Sequence, residues 1–203
     1  MQKAVRLNLP QPLLDQASQF LALRAAVKDP AQAQASAALA KKILDKNPDD
    51  VPALMLSALL AERRGALDEA RLSCEKVLSS HPLFTPAIRQ LAILYSRSQS
   101  KSDLDKAYDL AQKARTALPD DLELTGTLGL LAYNHADYNK SAYLLRECTV
   151  KSANDPQTFF YLGMDYFHLK QPKPCKLALQ RALDLRLPDS LAAQARAILK
   201  ELK

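Results

Sequence analysis

Apolar positions recur along the chain with a helical period. Leu54, Ser57, Ala58 and Ala61 stand at i, i+3, i+4 and i+7, and Phe159, Leu162, Gly163 and Tyr166 repeat that spacing. Residues so spaced share one face of an α-helix, so each segment predicts an amphipathic helix that buries this face. A second series of segments opens on small residues, Ala70, Ala107, Ser141 and Cys175, separated by 37, 34 and 34 residues. A small residue there lets a second helix lie close to the first. Helix starts are marked as well. Asp29-Pro30, Thr85-Pro86 and Asp155-Pro156 each set an oxygen-bearing side chain before a Pro at the first helical position, where the missing N–H costs nothing. Asp189 or Ser190 can cap a last helix. Pro172 and Pro174 are tolerated only in a first turn, which predicts a helix start at Pro172.

A fixed period near 34 residues is the signature of helix–turn–helix solenoids. It divides the chain into helix-pair units of about 12–50, 51–84, 85–121, 122–155 and 156–189, with a final helix over 190–203. That final helix sets Leu191, Ala195, Ile198 and Leu202 on one face and Gln194, Arg196, Lys200, Glu201 and Lys203 on the other, as a solvent-facing cap requires. Gln2-Lys3-Ala4-Val5-Arg6-Leu7-Asn8-Leu9-Pro10 parallels Gln180-Arg181-Ala182-Leu183-Asp184-Leu185-Arg186-Leu187-Pro188. Residues 1–11 therefore read as the tail of a preceding repeat, and the chain as the C-terminal part of a longer array.

These residues resemble the tetratricopeptide repeat (TPR) family. The best match is Phe159, Leu162-Gly163 and Tyr166 followed by Cys175, Leu179, Ala182 and Leu183. The unit before it has Leu128-Gly129, Tyr138, Ser141 and Leu145. Earlier units offer Leu54, Ala58, Gly65, Ala70, Cys74, Leu78 and Pro82, and then Leu91-Ala92, Tyr95, Ala107, Ala111, Ala114 and Pro119. A weaker first unit has Phe20, Leu23 and Val27, then Ala40, Ile43 and Leu44. The resemblance implies an all-α, right-handed superhelical solenoid of antiparallel helix pairs, about five repeats plus a C-terminal capping helix. Two departures carry expectations. Ser96 to Asp103 predicts a helix–helix loop about three residues longer than usual. Pro156 falls three positions late, which predicts a longer preceding helix.

Composition agrees with this reading. The 203 residues include 12 Pro, which punctuate helices, and only 4 Gly, too few for phosphate-cradling loops or Gly-dependent hairpins. No apolar run approaches the roughly 18 residues of a membrane span, and no secretory leader is legible. The chain reads as soluble, with the cytoplasm as the default compartment. The net charge of +6 comes from 28 basic and 22 acidic side chains. Residues 1–50, 51–120 and 121–203 carry 7 and 5, 10 and 8, and 11 and 9. An excess this evenly spread is a solvated surface rather than a nucleic-acid footprint.

Candidate chemistry is sparse. Cys74, Cys148 and Cys175 are scattered without a CxxC and read as buried reduced thiols. His81, His135 and His168 are far apart in sequence, His81 at a helix end where it can bond last-turn carbonyls. No nucleotide-binding, zinc-protease or nucleophile-elbow motif is present. The expectation is no enzyme, no metal and no cofactor.

The resemblance implies a binding groove lined by first helices at the second, fifth, ninth, twelfth and thirteenth positions of each repeat. Its apolar stripe would be Met55, Leu59, Ile93, Leu130, Tyr133, Phe160, Met164 and Phe167, flanked by Arg63, Arg89 and Arg97. The Lys and Asn with which family members clamp acidic C-terminal peptides are absent. The implied function is a protein–protein interaction scaffold holding a peptide or helical segment in an apolar groove. Alternatives are an assembly or secretion chaperone shielding apolar segments, or the recognition arm of an enzyme whose catalytic domain lies elsewhere. RNA binding is disfavoured by the apolar groove.

Overall fold

The computed structural model describes residues 30–152 and 154–202. The expected tail over 1–11, the first-helix residues Phe20, Leu23 and Val27, the cap Asp29 and the terminal Lys203 lie outside the described residues. Among the described residues the chain is entirely helical: α1 (Pro30–Leu44), α2 (Val51–Arg63), α3 (Leu67–Ser80), α4 (Thr85–Ser96), α5 (Lys101–Ala117), α6 (Leu122–Asn134), α7 (Tyr138–Lys151), α8 (Pro156–His168), α9 (Pro172–Asp184) and α10 (Asp189–Glu201). They fall into two compact units, one up to Leu94 and one from Tyr95 onward. In the first, α2 packs against both α1 and α3. In the second, each of α5 to α10 packs on the next, and α6 also meets α8.

Aspartates fix where helices begin. Asp50 accepts the Ala53 amide at 2.9 Å, Asp121 the Leu124 amide at 3.0 Å, and Asp137 the Lys140 amide at 3.1 Å. Asp155 takes the Gln157 and Thr158 amides at 3.2 and 3.1 Å. Each satisfies donors that a helix start leaves without intrahelical partners, worth about 1 kcal/mol. Thr85 departs from expectation. It lies inside α4, and the Phe84 carbonyl accepts the Ala87 and Ile88 amides at its start. Nor do Asp189 and Ser190 precede α10: Asp189 is its first residue and Pro188 stands at the cap.

The turns inside three helix pairs share one geometry. Gly65, Ala136 and Lys170 have φ of 80°, 58° and 56°. The next residue's amide reaches five residues back, Ala66 to the Ala61 carbonyl, Asp137 to Ala132 and Gln171 to Tyr166, at 2.9, 2.9 and 2.8 Å. This is the left-handed closure that satisfies last-turn carbonyls. It turns the chain within three residues and sets the helices antiparallel. At Ala136 and Lys170 the Cβ costs roughly 1 kcal/mol relative to Gly.

The two length anomalies resolve differently from expectation. The extra residues before Ala107 lengthen α5 to 17 residues, whereas the connection over 97–100 is only four long. Asp103 in the first turn favours the extension electrostatically, and Ser98 Oγ donates to its carboxylate at 2.8 Å. Conversely α7 has 14 residues, the same as α3, and the connections that follow them, over 152–155 and 81–84, are both four residues long; Pro156 lengthens neither and is the first residue of α8.

Close approach within pairs depends on two glycines. A Cβ on Gly129 would lie 2.6 Å from Leu145 Cδ2. One on Gly163 would lie 2.6 Å from Leu179 Cδ2 and 3.3 Å from the Leu179 backbone nitrogen. Leu145 and Leu179 are themselves fully buried. The closing core of the second unit gathers Phe160, Cys175, Leu179, Ala182, Leu187, Ala192 and Ala195. Here α10 covers α9 with Ala192 and Ala195, and Leu191, Ile198 and Leu202 are half-buried beside them.

Candidate functional site

In the first unit the expected groove residues split. Met55 and Ile93 are 1% and 4% exposed, so their side chains belong to the interior and offer a ligand nothing. Leu59 and Arg89 are half-buried and Arg63 is exposed. A cavity of about 390 Å³ in this unit is lined by Leu44, Ser57, Leu60, Arg64 and Glu69 among others, none of them expected site residues.

The second unit brings more together. Leu130 and Tyr133 on α6, and Met164 and Phe167 on α8, are half-buried, and Arg97 is exposed. Phe160 corrects the sequence reading. It is 2% exposed and packs with Cys175, Leu179 and Ala182 of α9. A large ring opposite three small or flexible partners fills the space they leave, which makes it core.

Two cavities flank the half-buried residues. One, of about 310 Å³, is lined by Leu122, Glu123, Gly126, Thr127 and Leu130 of α6, by Cys148 and Ser152, and by Asp155 and Thr158 at the start of α8. Gly126 lies at its wall, and a Cβ there would meet only Cys148 Sγ, at 3.7 Å. The packing therefore does not require glycine at 126, although a helix-interior glycine costs about 1 kcal/mol relative to alanine. Its missing side chain leaves the cavity open. The other cavity, about 450 Å³ and mainly apolar, is bounded by Tyr166, Phe167, His168, Lys170, Gln171, Pro172 and Leu202.

Beside the second cavity, joined to it by His168, lies an aromatic cluster that the sequence reading did not assemble. Tyr133 meets Tyr161 and Tyr138 edge-on at 5.1 and 5.7 Å. His168 stacks on Tyr138 at 4.1 Å. Tyr138 comes from α7 and Tyr161 from a face of α8 outside the five groove positions, so only packing of three helices joins them. Burial, with Tyr138, Asp165 and Tyr161 nearby, pushes the Tyr133 phenol up.

Asp165 lies beside this cluster. It is fully buried, and Ser141 Oγ donates to its Oδ2 at 2.6 Å. Oδ1 accepts no hydrogen bond among the described residues. Burial raises the carboxyl to about 7, opposed by the Ser141 hydrogen bond and reinforced by Asp137. The sequence signal was an acid on the apolar face of α8, one residue before Tyr166.

The thiols are structural. All three are buried, and burial pushes Cys74 up to about 12, with Glu62 and Glu75 adding to it. Burial also raises Cys148 and Cys175. Thiols held protonated are poor nucleophiles. His81 is the C-terminal cap of α3, and its ring meets the Ser80 hydroxyl at 3.0 Å rather than a carbonyl. His135 closes α6 and its Nε2 lies 3.4 Å from Asp105. No group of three metal-ligating side chains occurs among the described residues, and no helix there is long and apolar enough to cross a membrane.

A family model for the N-terminal TPR-repeat region of Psidin matches residues 28–143, more than half of the chain. The chain belongs to the TPR family. Solved TPR structures are similar to it across most of its length. YrrB, described as a TPR protein with an unusual peptide-binding site, superposes with a TM-score of 0.67 at 16% identity, covering 82% of this chain and 84% of its own. MamA (AMB-1) gives 0.68 at 16%, covering 85% and 99%. TTC0263, a thermophilic TPR protein of Thermus thermophilus, gives 0.55 at 18%, covering 89% and 98%. No curated protein matches the chain in sequence. At these identities the likeness fixes the TPR fold.

Proposed function

We propose that the chain is a non-catalytic interaction scaffold and that the first helices α6 and α8 hold a peptide or helical segment of a partner protein. The observation that carries this reading is the open wall at Gly126. A helix tolerates the cost of glycine there without a packing need, and the cavity it leaves adjoins Leu130. Leu130, Tyr133, Met164 and Phe167 supply apolar surface for one or two anchors, each contributing roughly 1.5–3 kcal/mol when buried. Half-buried Met adapts to differing ligands. YrrB, similar in fold, is described as having a peptide-binding site, which supports the class of ligand. Arg97, exposed in the same unit, remains a candidate for a flanking contact. Buried, protonated thiols favour a non-catalytic role over a cysteine enzyme.

The test uses displayed peptides selected on the full chain. Gly126→Leu fills the cavity, and Tyr133→Ala with Phe167→Ala strips the aromatic surface. Both should weaken the selected peptide roughly tenfold or more while helical circular dichroism persists. Retained affinity in both variants would refute this placement.

A further inference from the structure

The second helices of the second unit expose large apolar side chains that line neither cavity of this site. Tyr143 and Val150 on α7 are 62% and 80% exposed, and Leu177 on α9 is 74% exposed. Tyr143, Arg146 and Val150 stand at i, i+3 and i+7, so they share one helix face. Leu177 occupies the position equivalent to Tyr143 one repeat later, 34 residues on. Ala142 and Ala178, their sequence neighbours, are buried in one cluster with Leu145 and Leu162. Tyr143 and Leu177 therefore stand at equivalent outward positions of successive second helices.

The exposed charge of α7 and α9 is mainly basic. Arg146, Lys173 and Lys176 are exposed and form no ion pair among the described residues. Arg181 lies over the Phe159 ring at 6.0 Å. Of the acids on these helices, Asp184 is exposed on the same face as Leu177, and Glu147 is half-buried. Glu147 is bound by Arg115 at 2.7 Å and Lys151 at 3.0 Å, and Asp184 accepts from Gln180 at 3.0 Å. Lys140 is likewise turned away, donating to Tyr108 and Gln112 of α5.

We propose that this outer face docks an acidic amphipathic helix of a partner protein. Tyr143 and Val150 stand about 10 Å apart along α7, the two-turn interval at which a partner helix repeats its own apolar face. Carboxylates beside that face would meet Arg146, Lys173 and Lys176. A second copy of this chain laid face to face would oppose these cations to their counterparts. The surface lies on second helices, so it stands or falls separately from the peptide site on α6 and α8.

The test measures binding of the full chain to a labelled synthetic helix with Leu at i, i+3 and i+7 flanked by Glu. The controls are a matched peptide carrying Lys for Glu, and phosphatidylcholine vesicles with and without phosphatidylserine. The Glu peptide should bind roughly tenfold or more tightly than the Lys peptide and weaken as salt rises. Tyr143→Ser with Leu177→Ser should cost about tenfold at unchanged helicity. Arg146→Glu with Lys173→Glu should reverse the peptide preference, and Phe167→Ala should change neither. The proposal is overturned by equal affinity for the two peptides or by no binding of the Glu peptide. It is also overturned by a loss that follows Phe167→Ala rather than Tyr143→Ser with Leu177→Ser, or by binding only to phosphatidylserine vesicles.

Discussion

Gly126 and Gly129 lie one turn apart on the same helix and do opposite things. At Gly129 a Cβ would collide with the buried Leu145 at 2.6 Å, and at Gly163 the same collision occurs with Leu179. At Gly126 the nearest atom would be 3.7 Å away. Gly129 and Gly163 are needed because the facing helix is close. Gly126 is where α6 borders an open cavity. Phe160 and Phe167 form a parallel contrast on α8. The first is sealed between α8 and α9, while the second is half-buried beside a 450 Å³ cavity. One helix thus presents a closed face that holds the repeat together and a neighbouring face that borders a cavity.

The contrast is most exposed to disproof at Phe160. Phe160→Ala should cost about 3–5 kcal/mol in urea unfolding, against under about 1.5 kcal/mol for Phe167→Ala. Equal costs would place both rings in one environment. Next is the acid beneath the aromatic cluster. The folded state holds a proton on Asp165 up to about pH 7, whereas an unfolded aspartate releases it near 3.9. The group's contribution is therefore fully present below the unfolded value and is lost as pH rises toward 7. Stability should fall by about 2–3 kcal/mol from pH 5 to pH 8, and Asp165→Asn should flatten this slope. A wild-type slope of zero would mean that the carboxyl is not desolvated.

Gly163→Ala comes third, at about 1–3 kcal/mol of destabilisation, because Leu179 and its backbone nitrogen leave no room. Gly126→Ala is the smallest and has the opposite sign, a gain of roughly 0.5–1 kcal/mol from helix propensity. Thermal unfolding of the two alanine variants side by side reads this difference directly. A loss at 126 comparable to that at 163 would show that both glycines serve packing.

Much of the fold was legible because it rests on local chemistry. The 3.6-residue spacing of Leu54 to Ala61 and of Phe159 to Tyr166, the Asp155-Pro156 start and the Pro172 start each concern residues within a few positions of one another. The small residues at 70, 107, 141 and 175 announced close-packed second helices, and all four are fully buried. The site was less legible. The family resemblance implies that Met55, Ile93 and Phe160 face a groove. How deep they lie depends on how neighbouring helices cross, which no single helix records. Asp165 and Ser141 lie 24 residues apart in sequence, and the ring cluster joins Tyr133, Tyr138, Tyr161 and His168 from three helices. Neither has a local spacing to betray it.

The repeat unit, the helical segments and the turn positions were written in the order of residues, because propensity, capping and amphipathic period act over one or two helical turns. Packing then sorted each apolar face into core and surface. It also put the three extra residues into α5 rather than a loop, and made one glycine close a seam while its neighbour opens a cavity. Those outcomes depend on distances between helices, set by side chains that meet only when the chain has folded.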